Sequence, residues 1–385
     1  MISCPHSIYF FRGEEGDFRY FFADDYKGEK TGAELNAYPN PLLDLPNEGD
    51  FYRVKNDFTV TQARNFNVPA GKRIKAGNYV QVMLSGNPAV YKFVLFDGKV
   101  ANTLIDWGIV PLNLPVIDPP SQKLHTIEIP GMDGLLDISN SLTKYPVFEN
   151  RTGSLKFAIH HGMTDTNTAY SKILNFLQGV DVKMILEDDS KFFYKGRVFV
   201  DSIDPKNDGT YSEVSLGYSL HPYKESIYSS VDDWLWDPFN FETDVIQDSI
   251  FYRIDVHAED PNATGWVEFD FTSYVGQKPV KPEFVIQTLT EGDNLYAQVW
   301  NTDIYGKVWH GDPNNNVYVD SQIGKAQAYS MRDSYSNDGY EVKNRQTIGE
   351  TYRDLIFCEY TPDSELKMRF AGHGYVTIKF RSGRL

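Results

Sequence analysis

Ile127-Glu-Ile-Pro-Gly-Met-Asp-Gly-Leu-Leu-Asp-Ile138 is the stretch that decides how this chain folds. It has the pattern of a strand, a Pro-Gly/Asp-Gly turn pair and a second apolar run. Pro130 carries a backbone angle already set for a turn, and Asp133-Gly134 is a common tight-turn dipeptide. Gly131 and Gly134 can take positive φ, which other residues avoid. Taken alone, the stretch is a loop between two strands. Its neighbours in sequence decide what more it is.

Those neighbours point to a mainly β protein. Gly, Pro, Tyr and Phe are abundant in the 385 residues, and long amphipathic helical patterns are nearly absent. Turn signals recur roughly every 8–12 residues, the spacing of sandwich strands. The length exceeds what one core usually organises, so two or three domains are expected. Aromatics make up 15% of the chain, which suits sandwich cores and surfaces that meet partners or sugars. A formal charge of −16 argues against nucleic-acid binding and against docking on an anionic membrane, both of which rely on Lys and Arg. Cys4 and Cys358 are too few and too far apart for a disulfide framework or a metal knuckle, so reduced thiols are expected. The start MISCPHSIYFF lacks the basic region of a secretory signal, and no run approaches the roughly 20 apolar residues of a membrane span. These features fit a soluble protein made in the cytoplasm.

Three segments emerge along the chain. Residues 1–95 carry strand patterns at Phe18–Ala23, Asn78–Leu84 and Val90–Leu95, with turns at Val68–Gly71 and Lys75–Gly77. They are expected to form an N-terminal β extension or small accessory domain. Residues 96–224 hold the opening stretch, a strand at Leu155–His160 and one helix, Thr168–Gln178. Thr166, Asn167 or Thr168 would cap that helix, Tyr170, Ile173, Leu174 and Leu177 recur at helical spacing, and Gly179 would end it. A hairpin pairs Val182–Leu186 with Phe192–Val200 across Glu187–Ser190, and another turns at Asn207-Asp-Gly209. Residues 225–244 are a polar and aromatic linker. Residues 245–385 alternate as strands at Gly265–Phe271, Pro282–Leu289, Asn316–Asp320 and Gly374–Arg381.

Six short anchors follow one another in the middle segment: Ile129-Pro-Gly131, Asp133-Gly134, Asn150-Arg-Thr152, Asp188-Asp189, Tyr194-Lys-Gly-Arg197 and Pro222-Tyr-Lys224. With Tyr145–Thr152 (YPVFENRT), their order resembles the N-terminal domain of siphophage distal tail proteins. The third segment is similar to the galectin-like sandwich that ends many of them, through Val280-Lys-Pro282, Val317–Asp320 and Ile378–Leu385. It departs from the pattern at Pro362-Asp-Ser-Glu365, where the family often has Gly-x-Asn. The resemblance implies a β-sandwich or split-barrel ring domain with one α-helix over 96–224, followed by a galectin-like β-sandwich over 245–385. It implies a structural, non-enzymatic protein without cofactor or metal, placed at the distal end of a virion tail after assembly in the bacterial cytoplasm. A homohexameric ring, single or doubled, would join the tail tube protein to the tip protein and carry receptor-binding proteins. Pro130, Gly131, Asp133 and Gly134 would be the family's signature turn. A carbohydrate-binding accessory protein made of several sandwiches, without a ring, is the alternative, and an enzyme comes third.

Other constellations have plainer explanations. His160-His161 with Asp165 hints at a metal, yet consecutive strand residues point to opposite faces. Glu187-Asp-Asp189 sits at a hairpin tip, where carboxylates serve the turn. Asp204–Glu213 fails as a calcium loop, because Lys206 occupies its third position and no Glu falls at its twelfth. Neither G-x-S-x-G nor H-E-x-x-H is present. Trp300, Trp309 and His310 lie close to Asp303 and Asp312 and could stack on a sugar or a partner, although Lys307 is the one local base. A core or interface role for these two Trp is the simpler account.

Overall fold

The computed structural model describes residues 6–12, 26–37, 49–85, 90–141, 145–160, 164–205 and 211–226, and beyond these a set of short, mostly β segments between 239 and 385. The chain is mainly β and divides into two compact units, Met1–Leu142 with Pro146–Ile227, and Thr143–Tyr145 with Tyr228–Leu385. No described helix is long and apolar enough to cross a membrane.

In the first unit, β1 (Ile8–Phe11) is followed by β2 (Tyr26–Lys30), helix α1 (Gly32–Ala37), β3 (Phe51–Val54), β4 (Phe58–Thr59), β5 (Arg73–Ile74), β6 (Tyr79–Ser85) and β7 (Val90–Phe96). Next come β8 (Val100–Asn102), β9 (Ile109–Pro111), β10 (Thr126–Ile127), β11 (Leu136–Asp137) and β12 (Arg151–His160). Helix α2 (Thr166–Leu177), β13 (Asp181–Leu186), β14 (Phe192–Asp204), β15 (Tyr211–Leu220) and β16 (Lys224–Ser226) complete it. The main sheet runs β8-β1-β13-β14-β15-β12-β9, an open path in which every neighbouring pair is antiparallel.

Strand β1 explains the layering. Its four residues are all buried, Ile8 and Phe10 on one face and Tyr9 and Phe11 on the other. A continuous apolar run such as IYFF is what a strand covered on both sides requires. Ile8 and Phe10 join a core made with Trp107, Phe157, Ile159, Met184, Leu216 and the buried stripe Ala169, Ile173 and Leu177 of α2. Tyr9 and Phe11 pack with Phe51, Tyr79, Phe96 and Ile185. Residues 26–96 leave the main sheet to form their own, β2-β3-β6-β7, over a separate core of Leu35, Val54, Phe66, Ile74, Val82 and Phe93. The β2–β3 pair is parallel, so the chain must cross over between them, and α1 lies in that crossover.

Several details differ from the sequence expectations. The helix over 166–177 is joined by α1, whose six residues are too few to show a helical period. Its start is the capping box Thr31–Glu34, in which the Thr31 N–H donates to the Glu34 carboxylate over 2.6 Å. The cap of α2 is Asp165, one residue before the expected Thr or Asn; its carboxylate accepts from the Thr168 N–H at 2.9 Å. A carboxylate there also complements the positive end of the helix dipole. The N-terminal residues are not wholly separate, since Ile8–Phe11 sits between β8 and β13 of the main sheet. Glu225 and Ser226, placed in the linker by sequence, are buried and pair with Phe193 and Phe192. Phe18–Ala23, Asn207–Gly209, His161, Asp303 and Asp312 lie outside the described residues.

In the second unit, Lys367–Lys379 is the long central strand. It pairs with Ser249–Val256 and Val267–Asp270, and with Glu283–Thr288 and Leu295–Asn301, all antiparallel. Asn316–Asp320 extends this sheet from Glu283–Thr288, and Lys325–Tyr329 follows it.

Candidate functional site

A hairpin leaves the main sheet where β12 begins. Its root is a ladder: Glu149 N–H donates to the Ser121 carbonyl and Lys123 N–H to the Val147 carbonyl, each at 2.8 Å, with Gln122 opposite Phe148. Farther out, β10 pairs with β11, Thr126 facing Asp137 and Ile127 facing Leu136. At the tip, Met132 N–H closes a turn on the Ile129 carbonyl. Gly131 has φ +84° and Gly134 has φ +79°, with nothing within 4 Å of a Cβ at either. The glycines are therefore demanded by backbone conformation, and no neighbour crowds them.

Every residue from Ser121 to Asp137 is exposed. Among them are six large apolar side chains: Leu124, Ile127, Ile129, Met132, Leu135 and Leu136. Leu112, Leu114 and Val116, just before the root, are exposed too. An isolated two-stranded hairpin is marginal in water, and this one turns its apolar residues outward. The hairpin also carries Glu128, Asp133 and Asp137 and lacks Lys and Arg between Leu124 and Ser141. Hydrogen bonds from Ser139 hold the Asp137 carboxyl below the usual carboxylate range.

Arg151 pins the root. It is 4% exposed, and its Nε donates to the Pro222 carbonyl at 2.8 Å while Nη1 donates to the Asp118 carbonyl at 3.0 Å. The guanidinium lies 5.6 Å from the centre of the Tyr194 ring. Its third nitrogen, Nη2, is buried without a hydrogen-bond partner. Burial lowers the pKa of Arg151, the Tyr194 and Tyr218 hydroxyls opposing it. The Asp118 carboxylate is turned instead to the Tyr218 hydroxyl, which donates to Oδ2 at 3.2 Å. Arg151, Tyr194 and Pro222 come from three separate sequence anchors, and the fold brings them to one point. Asn150, beside Arg151, donates to Ser219 Oγ at 3.4 Å. Gly196, in the same anchor as Tyr194, has φ +153° and presses on β15, where a Cβ would lie 2.7 Å from Leu220 Cα. Asp118 was not legible as a partner, because it offers Arg151 a backbone carbonyl that any residue possesses.

The other sequence candidates fall elsewhere. Pro130, Gly131, Asp133 and Gly134 form the hairpin tip, away from Arg151 along the ladder. Trp300 and Trp309 stand in adjacent antiparallel strands, Trp300 opposite Tyr305 and Trp309 opposite Ala297, with His310 opposite Tyr296. The Glu187–Asp189 carboxylates are all engaged: Glu187 accepts from the Ser7 N–H and hydroxyl, Asp188 pairs with His6, and Asp189 with Lys224.

A polar cluster absent from the sequence candidates ties the 26–96 excursion to the main sheet. Asp106 accepts from Arg53 Nε at 3.0 Å, from the Tyr79 hydroxyl at 2.8 Å and from the Asn102 N–H at 2.8 Å, and Arg53 also pairs with Glu29. Burial raises the Asp106 carboxyl above its ordinary pKa, with Arg53 opposing, and raises the Tyr79 hydroxyl as well. Sequence alone hides this set, since Arg53 and Tyr79 stand 53 and 27 positions before Asp106.

No protein-family model and no curated protein matches this chain. Among solved structures, it is similar to the crystal structure of the SPP1 Dit (gp 19.1) protein, described as a paradigm of the hub adsorption apparatus in phages that infect Gram-positive bacteria. The two chains are 13% identical with a TM-score of 0.42, over 72% of this chain and 92% of the other.

Proposed function

We propose that this chain is a structural protein of a phage tail, or of a phage-derived tail, which assembles with copies of itself into a six-membered ring at the distal end. The ring would join the tail tube to the tip protein, and residues 245–385 would carry receptor-binding proteins. Its work is mechanical: residues are spent on mutual contact, and no step of chemistry is required. One observation carries this reading, the outward-facing apolar hairpin rooted on buried Arg151. Six large apolar side chains on a marginal two-stranded arm favour an arm that is covered in the working state. The order of the sequence anchors supports a tail ring as that state. A cyclic assembly pairs one face of each copy with a different face of the next, so an arm on one side needs a receiving surface on the other.

The test is sedimentation velocity and negative-stain imaging of the full chain at micromolar concentration and above. Wild-type protein should form six-membered rings with a central channel. A variant with Leu124, Ile127, Leu135 and Leu136 changed to Ser should remain monomeric with an unchanged circular dichroism spectrum. A wild-type protein that stays monomeric at all concentrations would overturn the proposal.

A further inference from the structure

The acidic balance of this chain has one sharp exception. From Phe58 to Phe96 no Asp or Glu occurs, whereas Arg64, Lys72, Arg73, Lys75 and Lys92 do. Across residues 51–100, eight Lys and Arg stand against two Asp, a net of +6, which leaves −22 for the rest of a chain whose total is −16. Four of these bases, Arg64, Lys72, Arg73 and Lys75, are exposed on the segment from Val60 to Gly77. The two carboxylates nearby answer part of this charge, Asp57 pairing with Arg73 and Asp97 with Lys72. Arg64 and Lys75 form no ion pair among the described residues. The backbone under them is well held: Val60 exchanges hydrogen bonds with Gly71 and Lys72, Asn65 N–H bonds the Gln62 carbonyl, and Ala76 N–H bonds Asp57. Pro69 and Ala70 are exposed between the bases and give the segment an apolar spot.

We infer that this basic segment is the receiving surface for the acidic, apolar hairpin 124–141 of a second copy of the chain. The inference rests on the self-assembly proposed above and names the face that the arm meets. Charge complementarity is its basis. Copies that each carry −16 repel one another, so a self-contact needs locally opposite charge. The hairpin bears Glu128, Asp133 and Asp137 without a Lys or Arg, and the 60–77 segment bears four bases without an acid. Both are exposed, and both combine charge with apolar atoms. Two unlike faces on one chain are the condition for a head-to-tail contact that closes into a ring. A contact of this kind weakens as salt screens it, over about 10 Å at 0.1 M.

Three full-length variants test the inference by sedimentation velocity between 0.05 and 0.5 M salt, values on the order of the range where screening changes most. Arg64→Glu/Lys72→Glu/Lys75→Glu should weaken assembly about tenfold or more at low salt, and Glu128→Lys/Asp133→Lys should do the same. The combined five-site variant restores opposite charges and should recover assembly. If wild-type assembles, and the apolar hairpin variant abolishes assembly while both charge reversals leave it intact, the ring stands and this contact is wrong. If wild-type does not assemble, both proposals fall. Polyphosphate is the control for a different occupant: binding that needs Arg64, Lys72 and Lys75, together with unaltered assembly, would assign the segment to an acidic polymer and overturn the inference.

Discussion

Replacing Arg151 with Met should loosen both the main sheet and the hairpin root. The substitution keeps an unbranched side chain of similar reach and removes the charge and all donors. Two carbonyls, Pro222 and Asp118, lose their partner, at a cost of about 1–3 kcal/mol each. The contact with the Tyr194 ring is lost as well, about 1–2 kcal/mol for a desolvated cation over an aromatic face. One term opposes these: Nη2 is buried without a partner, and abolishing it returns about 1–3 kcal/mol. The balance is a destabilisation of about 3 kcal/mol, with Arg151→Lys intermediate, because an ammonium cannot span both carbonyls with a fixed planar fork. Hydrogen exchange read by mass spectrometry isolates the effect to this unit. Peptides covering β12 and β15 should lose protection, and the root at Ser121–Lys123 and Val147–Glu149 should open first. Unchanged protection in the Met variant would show that Arg151 holds nothing together, and the assignment of the root would fail with it.

Gly196→Ala should destabilise by about 2–5 kcal/mol, from strain at φ +153° and from overpacking against the backbone of β15; an unaltered urea midpoint would refute this. Asp106→Ala should cost about 2–5 kcal/mol, since it takes the acceptor from the buried Tyr79 hydroxyl and Asn102 N–H and one partner from half-buried Arg53, and the loss should appear as faster exchange in β3 and β6. Gly131→Val and Gly134→Val should each cost about 1–3 kcal/mol in hairpin strain; because the tip is exposed and touches nothing, exchange should rise there and leave the core untouched, and unchanged exchange at the tip would remove the need for glycine. The Asp165 carboxyl is held below its ordinary pKa by hydrogen bonds from Thr168. Its stabilisation is therefore present above about pH 4 and lost as acid passes below the depressed value. Protection at the α2 start should fall over that interval in wild-type protein and show no such step in Asp165→Asn.

How much of this was visible in the sequence depends on whether the cause was local. Leu155, Phe157 and Ile159 alternate inward along β12, and Ile173 and Leu177 recur at helical spacing on α2, so both elements could be read directly. Gly131, Gly134 and Gly179 have the positive φ that their turn positions suggested. The strand Ile8–Phe11 was hidden because four apolar residues show no period, and its partners begin about ninety positions later. Arg151 could be quoted from the sequence as part of an anchor, but its role could not. Its acceptors are carbonyls of Pro222 and Asp118, and backbone groups leave no mark in composition. The exposed apolar face of the hairpin was equally illegible, since alternating apolar residues suggest burial whether or not the folded chain supplies a cover.

The position of β1 bears on how the chain is made. Ile8 lies opposite Leu186, 178 positions away. At synthesis rates of about 5–20 residues per second, that partner leaves the ribosome roughly 10 to 35 s after β1 does. Residues 26–96 have their own sheet and core, so they are able to fold during the wait. Ile-Tyr-Phe-Phe has no such refuge. It emerges before both of its partner strands, is apolar throughout, and must stay unpaired until they arrive. Residues translated well before their partners are thus among the last to settle, and for that interval this short run is a natural client for a chaperone and open to wrong pairing.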